Sequence, residues 1–136
     1  AFVAMFDYAL GLVHPSLSLA AIFGVLFAPV AALLGVSATD LPAVADMLGT
    51  KLATNEFVAF VKLNEMYLET VSEHTRMVTT FALTGFANVG SIGVLLGGIG
   101  GLAPTRRGDL ACLGPVALLG GFLATLINAS IASMLL

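Results

Sequence analysis

The residues best suited to chemistry are Asn55-Glu56 and, about thirty positions on, Asn88 and Ser91. An ionised Glu accepts hydrogen bonds only, an Asn amide both donates and accepts, and a Ser hydroxyl does either. Such a set can hold two adjacent hydroxyls, as on a vicinal diol, with Glu56 accepting from both. It suits an anion poorly, because Glu56 would repel one. Nothing resembling a Ser/His/Asp or Cys/His catalytic arrangement stands beside it. His14 and His74 lie far apart without ligand spacing, so neither a metal site nor a catalytic role is expected of them. Cys112 is the only cysteine and forms no intrachain disulfide.

The surroundings make Glu56 notable. Of 136 residues, 59% are hydrophobic and only 10% charged, with a mean hydropathy of +1.06. That is too little charge to cover a soluble domain. No charge falls between Tyr8 and Thr39, between Met77 and Thr105, or after Asp109. Each gap is long enough for a helix crossing the hydrocarbon core, about 20 residues. The expected class is an all-α polytopic membrane protein, multi-pass in the cell membrane, with lipid as its solvent and no nucleic-acid partner. A carboxylate inside such a chain is a candidate functional group by default.

The elements that must position these residues follow in order. Residues 1–15 read as the end of an apolar helix, begun upstream of Ala1, and a turn at His14-Pro15. Residues 16–36 read as a membrane-crossing helix, with Ser16 as the candidate cap, Leu17 to Val36 uncharged, and Pro29 marking a kink. In residues 37–68, Asp40 is a candidate helix cap and Pro42 fits a first turn. The segment that follows is apolar yet carries Asp46, Lys51, Asn55, Glu56 and Lys62. One straight span would leave Lys51 and Glu56 near the bilayer centre. A re-entrant hairpin with its tip near Thr54-Asn55 accounts for them better. Glu56 would then begin the second half-helix, whose free N–H groups favour an ionised carboxylate. The other reading pairs Glu56 with Lys51, purely to hold the hairpin together. Lys51 could also snorkel to the interface.

Residues 69–104 begin in a polar connector, where Ser72 with Glu73 can cap a helix. They then read as a transmembrane helix broken at Gly85-Phe86-Ala87-Asn88-Val89-Gly90-Ser91, a run poor in helix formers. Residues 105–136 form a short loop and the last span. Arg106 and Arg107 place that loop in the cytoplasm by the positive-inside rule, which puts the 64–76 connector and the C-terminus outside. Gly93, Gly97 and Gly101, and likewise Ala117, Gly121, Thr125, Ala129 and Ser133, form small-residue stripes suited to close helix packing. A hairpin tip facing a broken helix is the usual build of a transporter's midplane site. Two other classes stay open on the residues alone. One is an ion-translocating or structural subunit of a larger membrane complex, with Glu56 as proton relay. The other is a membrane enzyme, for which no partner acid, nucleophile or metal cluster is visible.

At these positions the chain resembles the concentrative nucleoside transporter family. The strings that carry the resemblance are Gly49-Thr50-Lys51-Leu52, Asn55-Glu56-Phe57-Val58-Ala59, Gly85-Phe86-Ala87-Asn88 with Ser91-Ile92-Gly93, Leu102-Ala103-Pro104 with Arg106-Arg107 and Asp109-Leu110, and Asn128-Ala129. Their order is similar to that family's C-terminal half. The resemblance implies an ion-driven nucleoside symporter, not an enzyme, working as a homotrimer with scaffold helices around a moving transport domain. Its fold would be an inverted repeat. The second hairpin would be roughly residues 40–63, the second broken helix roughly 72–102, and 17–36 a scaffold helix. It also implies that Glu56, Asn88 and Ser91 bind the ribose, with Asn55 in the same motif and Phe86 beside the nucleoside. The coupling ion, Na+ or H+, would be held mainly by residues outside this sequence, and no cofactor or metal is implied. Val89-Gly90 departs from the bulkier or hydroxylated residues many members carry there.

Overall fold

A computed structural model describes residues 2–136, and Ala1, the first residue of the expected 1–15 segment, lies outside them. It holds seven α-helices among the described residues: α1 (Phe2–Val13), α2 (Leu19–Leu33), α3 (Leu41–Ala53), α4 (Glu56–Lys62), α5 (Glu73–Leu83), α6 (Val89–Leu102) and α7 (Arg107–Leu135). A π-helical turn, Leu63–Tyr67, follows α4, and a 3-10 turn, Pro104–Arg106, precedes α7. The described residues contain no strand.

Local chemistry sets most of the boundaries. The cap of α2 is Ser18, whose side chain accepts from Ala21 N at 3.0 Å. Ser16, the expected cap, instead pairs with His14 Nδ1 at 2.8 Å. Asp7 of α1 takes a second orphan donor of α2, Leu19 N, at 2.7 Å. At the other end Gly35 adopts φ +78°, a conformation costly for any residue with a Cβ, and α2 stops. The helix is therefore 15 residues rather than the expected 20, roughly 22 Å long.

Asp40 precedes α3 but makes no side-chain cap. Its carboxylate turns away and accepts from the N–H and Oγ of Ser72, at 3.1 and 3.0 Å, which ties the start of α3 to the start of α5. Ser72 in turn caps α5 by accepting from Thr75 N at 3.2 Å.

The core lies where α2, α3, α5 and α7 meet. It is built from Phe27 and Ala31 of α2 with its C-cap Leu34, Val44, Met47 and Leu48 of α3, Val78 and Leu83 of α5, and Phe122 and Ala129 of α7. Gly49 lets α2 and α3 approach closely: a Cβ there would stand 2.2 Å from Phe23 Cβ. The α7 stripe behaves partly as expected, since Thr125 and Ala129 are buried and Gly121 abuts Ala87. The α6 stripe does not. Nothing lies within 4 Å of a Cβ placed on Gly93, Gly97 or Gly101, so that face is uncovered among the described residues.

Large apolar side chains also point outward, among them Val25, Leu33, Leu102, Ile127 and Leu135. Among the described residues one helical stretch, Pro104–Leu135, is long and apolar enough to cross a membrane alone, with mean hydropathy 2.1.

Candidate functional site

The two places expected to meet do meet. Helix α3 ends at Ala53, and Asn55 caps α4 by accepting from Val58 N at 2.9 Å. This helix–turn–helix is clamped between its arms. Lys62 of α4 donates to both carboxylate oxygens of Asp46 on α3 at 2.9 Å and to Thr50 Oγ1 at 2.9 Å, while the Tyr67 hydroxyl donates to Asp46 Oδ2 at 3.0 Å. The turn between the arms presents Glu56 as the first residue of α4.

The second place is the gap between α5 and α6. Gly85 adopts φ +85° there, and a Cβ on it would stand 2.8 Å from Thr125 Cγ2, so both backbone and space require a glycine. Beyond it Asn88, in extended conformation, caps α6: Oδ1 accepts from Ser91 N at 2.8 Å, and the Ser91 hydroxyl returns a bond to Asn88 O at 2.6 Å. With its oxygen committed to the cap, Asn88 has its amide hydrogens left to offer. One is donated to Glu56 Oε2 at 3.1 Å. Asn88 and Ser91 are buried and Glu56 is half-buried. Gly90 packs under the tip, where a Cβ would lie 3.2 Å from Asn88 Oδ1 and 3.8 Å from Thr54 O.

Glu56, Asn88 and Ser91 are thus brought together by two helix caps facing each other. The hydrogen-bond partner of Glu56 is the Asn88 amide and not, as expected, the free N–H groups of its own half-helix, of which that of Val58 is taken by Asn55 Oδ1. Phe86 is exposed and lines a cleft of about 250 Å³ with Ser91, Ile92 and Leu95 on one side and Gly114, Ala117 and Gly121 of α7 on the other. Glu56 and Asn88 do not line that cleft, so Ser91 is the residue common to both features.

Neither of the two alternatives for Lys51, an ion pair with Glu56 or snorkelling to the interface, describes it. No ion pair joins Lys51 to Glu56. Its side chain is wholly buried and donates to Ala82 O at 2.8 Å, Thr84 O at 2.7 Å and Thr125 Oγ1 at 3.1 Å. Sequence reasoning missed this anchor because two of its acceptors are backbone atoms, which leave no mark in residue types, and the third lies 74 positions away.

Residues 1–133 match the family described as Na+ dependent nucleoside transporter C-terminus. The chain belongs to that family. An uncharacterized transporter of Haemophilus influenzae is 44% identical over 127 residues, covering 89% of this chain and 30% of its own length. The putative nucleoside permease NupX of Escherichia coli is 42% identical over 118 residues, covering 85% of this chain and 28% of its own. Sodium/nucleoside cotransporter 1 of Mus musculus is 40% identical over 121 residues, covering 79% of this chain and 19% of its own. Among solved structures, CNTnw in an inward-facing substrate-bound state is similar, with TM-score 0.84 and 41% identity over 97% of this chain and 32% of that one. The chain therefore spans less than a third of the length of these relatives. The all-α architecture matches that of the solved structures.

Proposed function

We propose that this nucleoside transporter region supplies the ribose-binding half of an ion-coupled symporter, multi-pass in the cell membrane and homotrimeric. The observation that carries the reading is the 3.1 Å bond from Asn88 Nδ2 to Glu56 Oε2, which joins the turn after α3 to the gap before α6. In this reading residues 40–63 form a re-entrant hairpin and 72–102 a broken transmembrane helix, the two meeting near the midplane in one of two inverted repeats.

The chemistry supports a sugar as the group bound. Among the described residues no side chain hydrogen-bonds to the second carboxylate oxygen of Glu56. A vicinal diol would donate to that carboxylate, and the Asn88 amide and Ser91 hydroxyl would bond to the same hydroxyls. Asn55 holds Glu56 in place by capping α4, and Phe86 offers an exposed ring beside Ser91 against which a nucleoside can lie. Relatives named for sodium/nucleoside cotransport and nucleoside permeation favour a nucleoside over any other polyol.

Accumulation against a gradient requires that the ion favour the substrate-competent state, since only a ligand with differential affinity shifts a conformational equilibrium. The ion, Na+ or H+, would bind mainly outside these residues. Uridine uptake by the full-length transporter in liposomes tests the reading. Uptake should rise above equilibrium when an inward Na+ or H+ gradient is imposed. Uptake indifferent to both gradients would overturn it, and proton flux without nucleoside movement would favour an ion-translocating subunit instead.

A further inference from the structure

The last turn of α3 carries a charge that ribose binding does not use. Lys51 has 0% of its surface exposed. An ammonium has three protons, and each has an acceptor: Ala82 O, Thr84 O and Thr125 Oγ1, at 2.8, 2.7 and 3.1 Å. Thr125 gives its own proton to Phe122 O at 2.8 Å, so its lone pairs face the ammonium. The Phe122 ring lies 5.5 Å from Nζ, within range of a cation–π attraction.

Two of these oxygens belong to the end of α5, where carbonyls lose their helical partners and the helix dipole is negative. No carboxylate touches the charge. A buried cation is ordinarily paired; this one has only neutral oxygens as hydrogen-bond partners among the described residues, with Glu56 acting on it through space alone, and such oxygens are the donor set with which proteins coordinate bare monovalent cations.

We infer that the Lys51 ammonium is a tethered monovalent cation, filling an oxygen cage at the junction of α3, α7 and the end of α5. Lys51 stands three residues before Thr54 and Thr84 four before Asn88. The cage therefore ties together both approaches to the Glu56–Asn88 contact. Lys51 touches neither residue and is a positioning residue. The inference concerns the junction itself and holds whatever cargo the transporter moves.

The distinguishing consequence is that the cage accepts a free cation once the tether is cut. Lys51→Ala removes three methylenes and the ammonium, which together correspond to n-propylammonium. In the purified full-length transporter, the melting temperature lost by Lys51→Ala should be at least half restored by n-propylammonium and not by choline at the same ionic strength. The unsubstituted protein should respond equally to both salts. Adding Thr125→Val to Lys51→Ala should weaken the restoration. A Lys51→Met protein as stable as the unsubstituted one, or Lys51→Ala unresponsive to n-propylammonium, would overturn the inference. If Lys51→Ala does not fold, reductive methylation of the unsubstituted protein decides. Lys62, half-buried, should be dimethylated while Lys51 stays protected until the protein is denatured, and labelling of native Lys51 would refute the cage.

Discussion

Replacing Glu56 by Gln keeps the size and shape of the side chain and removes its charge, so it separates binding from folding. In the structure the carboxylate receives one protein bond, from Asn88 Nδ2 at 3.1 Å. A hydrogen bond to a charged group contributes about 1.5–3 kcal/mol and a neutral one about 0.5–1.5 kcal/mol. Each bond that loses its charge therefore loses roughly 1–1.5 kcal/mol. The fold loses one such difference, and neutralising a half-buried carboxylate offsets part of it. A ribose diol donating two bonds loses two, about 2–3 kcal/mol, which is roughly 30- to 150-fold in affinity. Uridine titration by calorimetry, beside thermal melting of the same Glu56→Gln full-length protein, reads both quantities. The expected outcome is a collapse in binding with a melting temperature displaced by only a few degrees. Unchanged uridine affinity would refute the role given to Glu56. A melting temperature that falls in proportion to binding would show that Glu56 holds the fold rather than the sugar.

Two further outcomes follow from the packing. Asp40 lies in the connector before α3, and hydrogen bonding by the Thr75 side chain, with further bonds from the Ser72 N–H, Ser37 and Ser72 and against the opposing effect of burial, holds its carboxyl down at about 2 from 3.8. Its folded-state value is the lower one, so its stabilisation is complete above the unfolded value and disappears as pH falls from about 4 through about 2. Asp40→Asn should flatten the acid limb of stability over that window. Thermal melting between about pH 5 and pH 2 checks it, and parallel acid limbs for both proteins would contradict the assignment. Gly49→Ala should drive α3 off α2, because the new Cβ would stand 2.2 Å from Phe23 Cβ. Overpacking of this kind typically costs about 1–3 kcal/mol. The variant should melt lower, and the same Gly49→Ala change should cost less in a Phe23→Gly background, which lacks the Cβ it strikes, whereas Gly49→Ala melting at the unsubstituted temperature would contradict the close approach.

The turn at Thr54-Asn55 and the break after Gly85 were legible because they are written in neighbouring residues, the break following from a backbone angle that glycine tolerates. The caps that fix them, Asn55 and Asn88, each bonding to an N–H three positions on, were not expected from residue type. Other local signals competed and the less obvious one won. Ser18 rather than Ser16 begins α2, since Asp7 of α1 is placed to take the adjacent N–H. Asp40, a good cap by type, serves Ser72 instead, because α5 starts beside it in space and not in sequence.

The amino-acid sequence by itself determined the solvent and the cast. Long charge-free runs and a mean hydropathy of +1.06 set the expectation of a membrane solvent, and Glu56 in an apolar segment, with Asn88 and Ser91 in a run poor in helix formers, supplied the candidate site residues. Only the tertiary structure decided who meets whom. The Glu56–Asn88 bond closes over 32 positions, and the partners of Lys51 lie 31, 33 and 74 positions away. Residue types state what a side chain can donate or accept. A backbone carbonyl at the end of α5 becomes an acceptor for Lys51 only when packing has ended that helix beside α3 and α7.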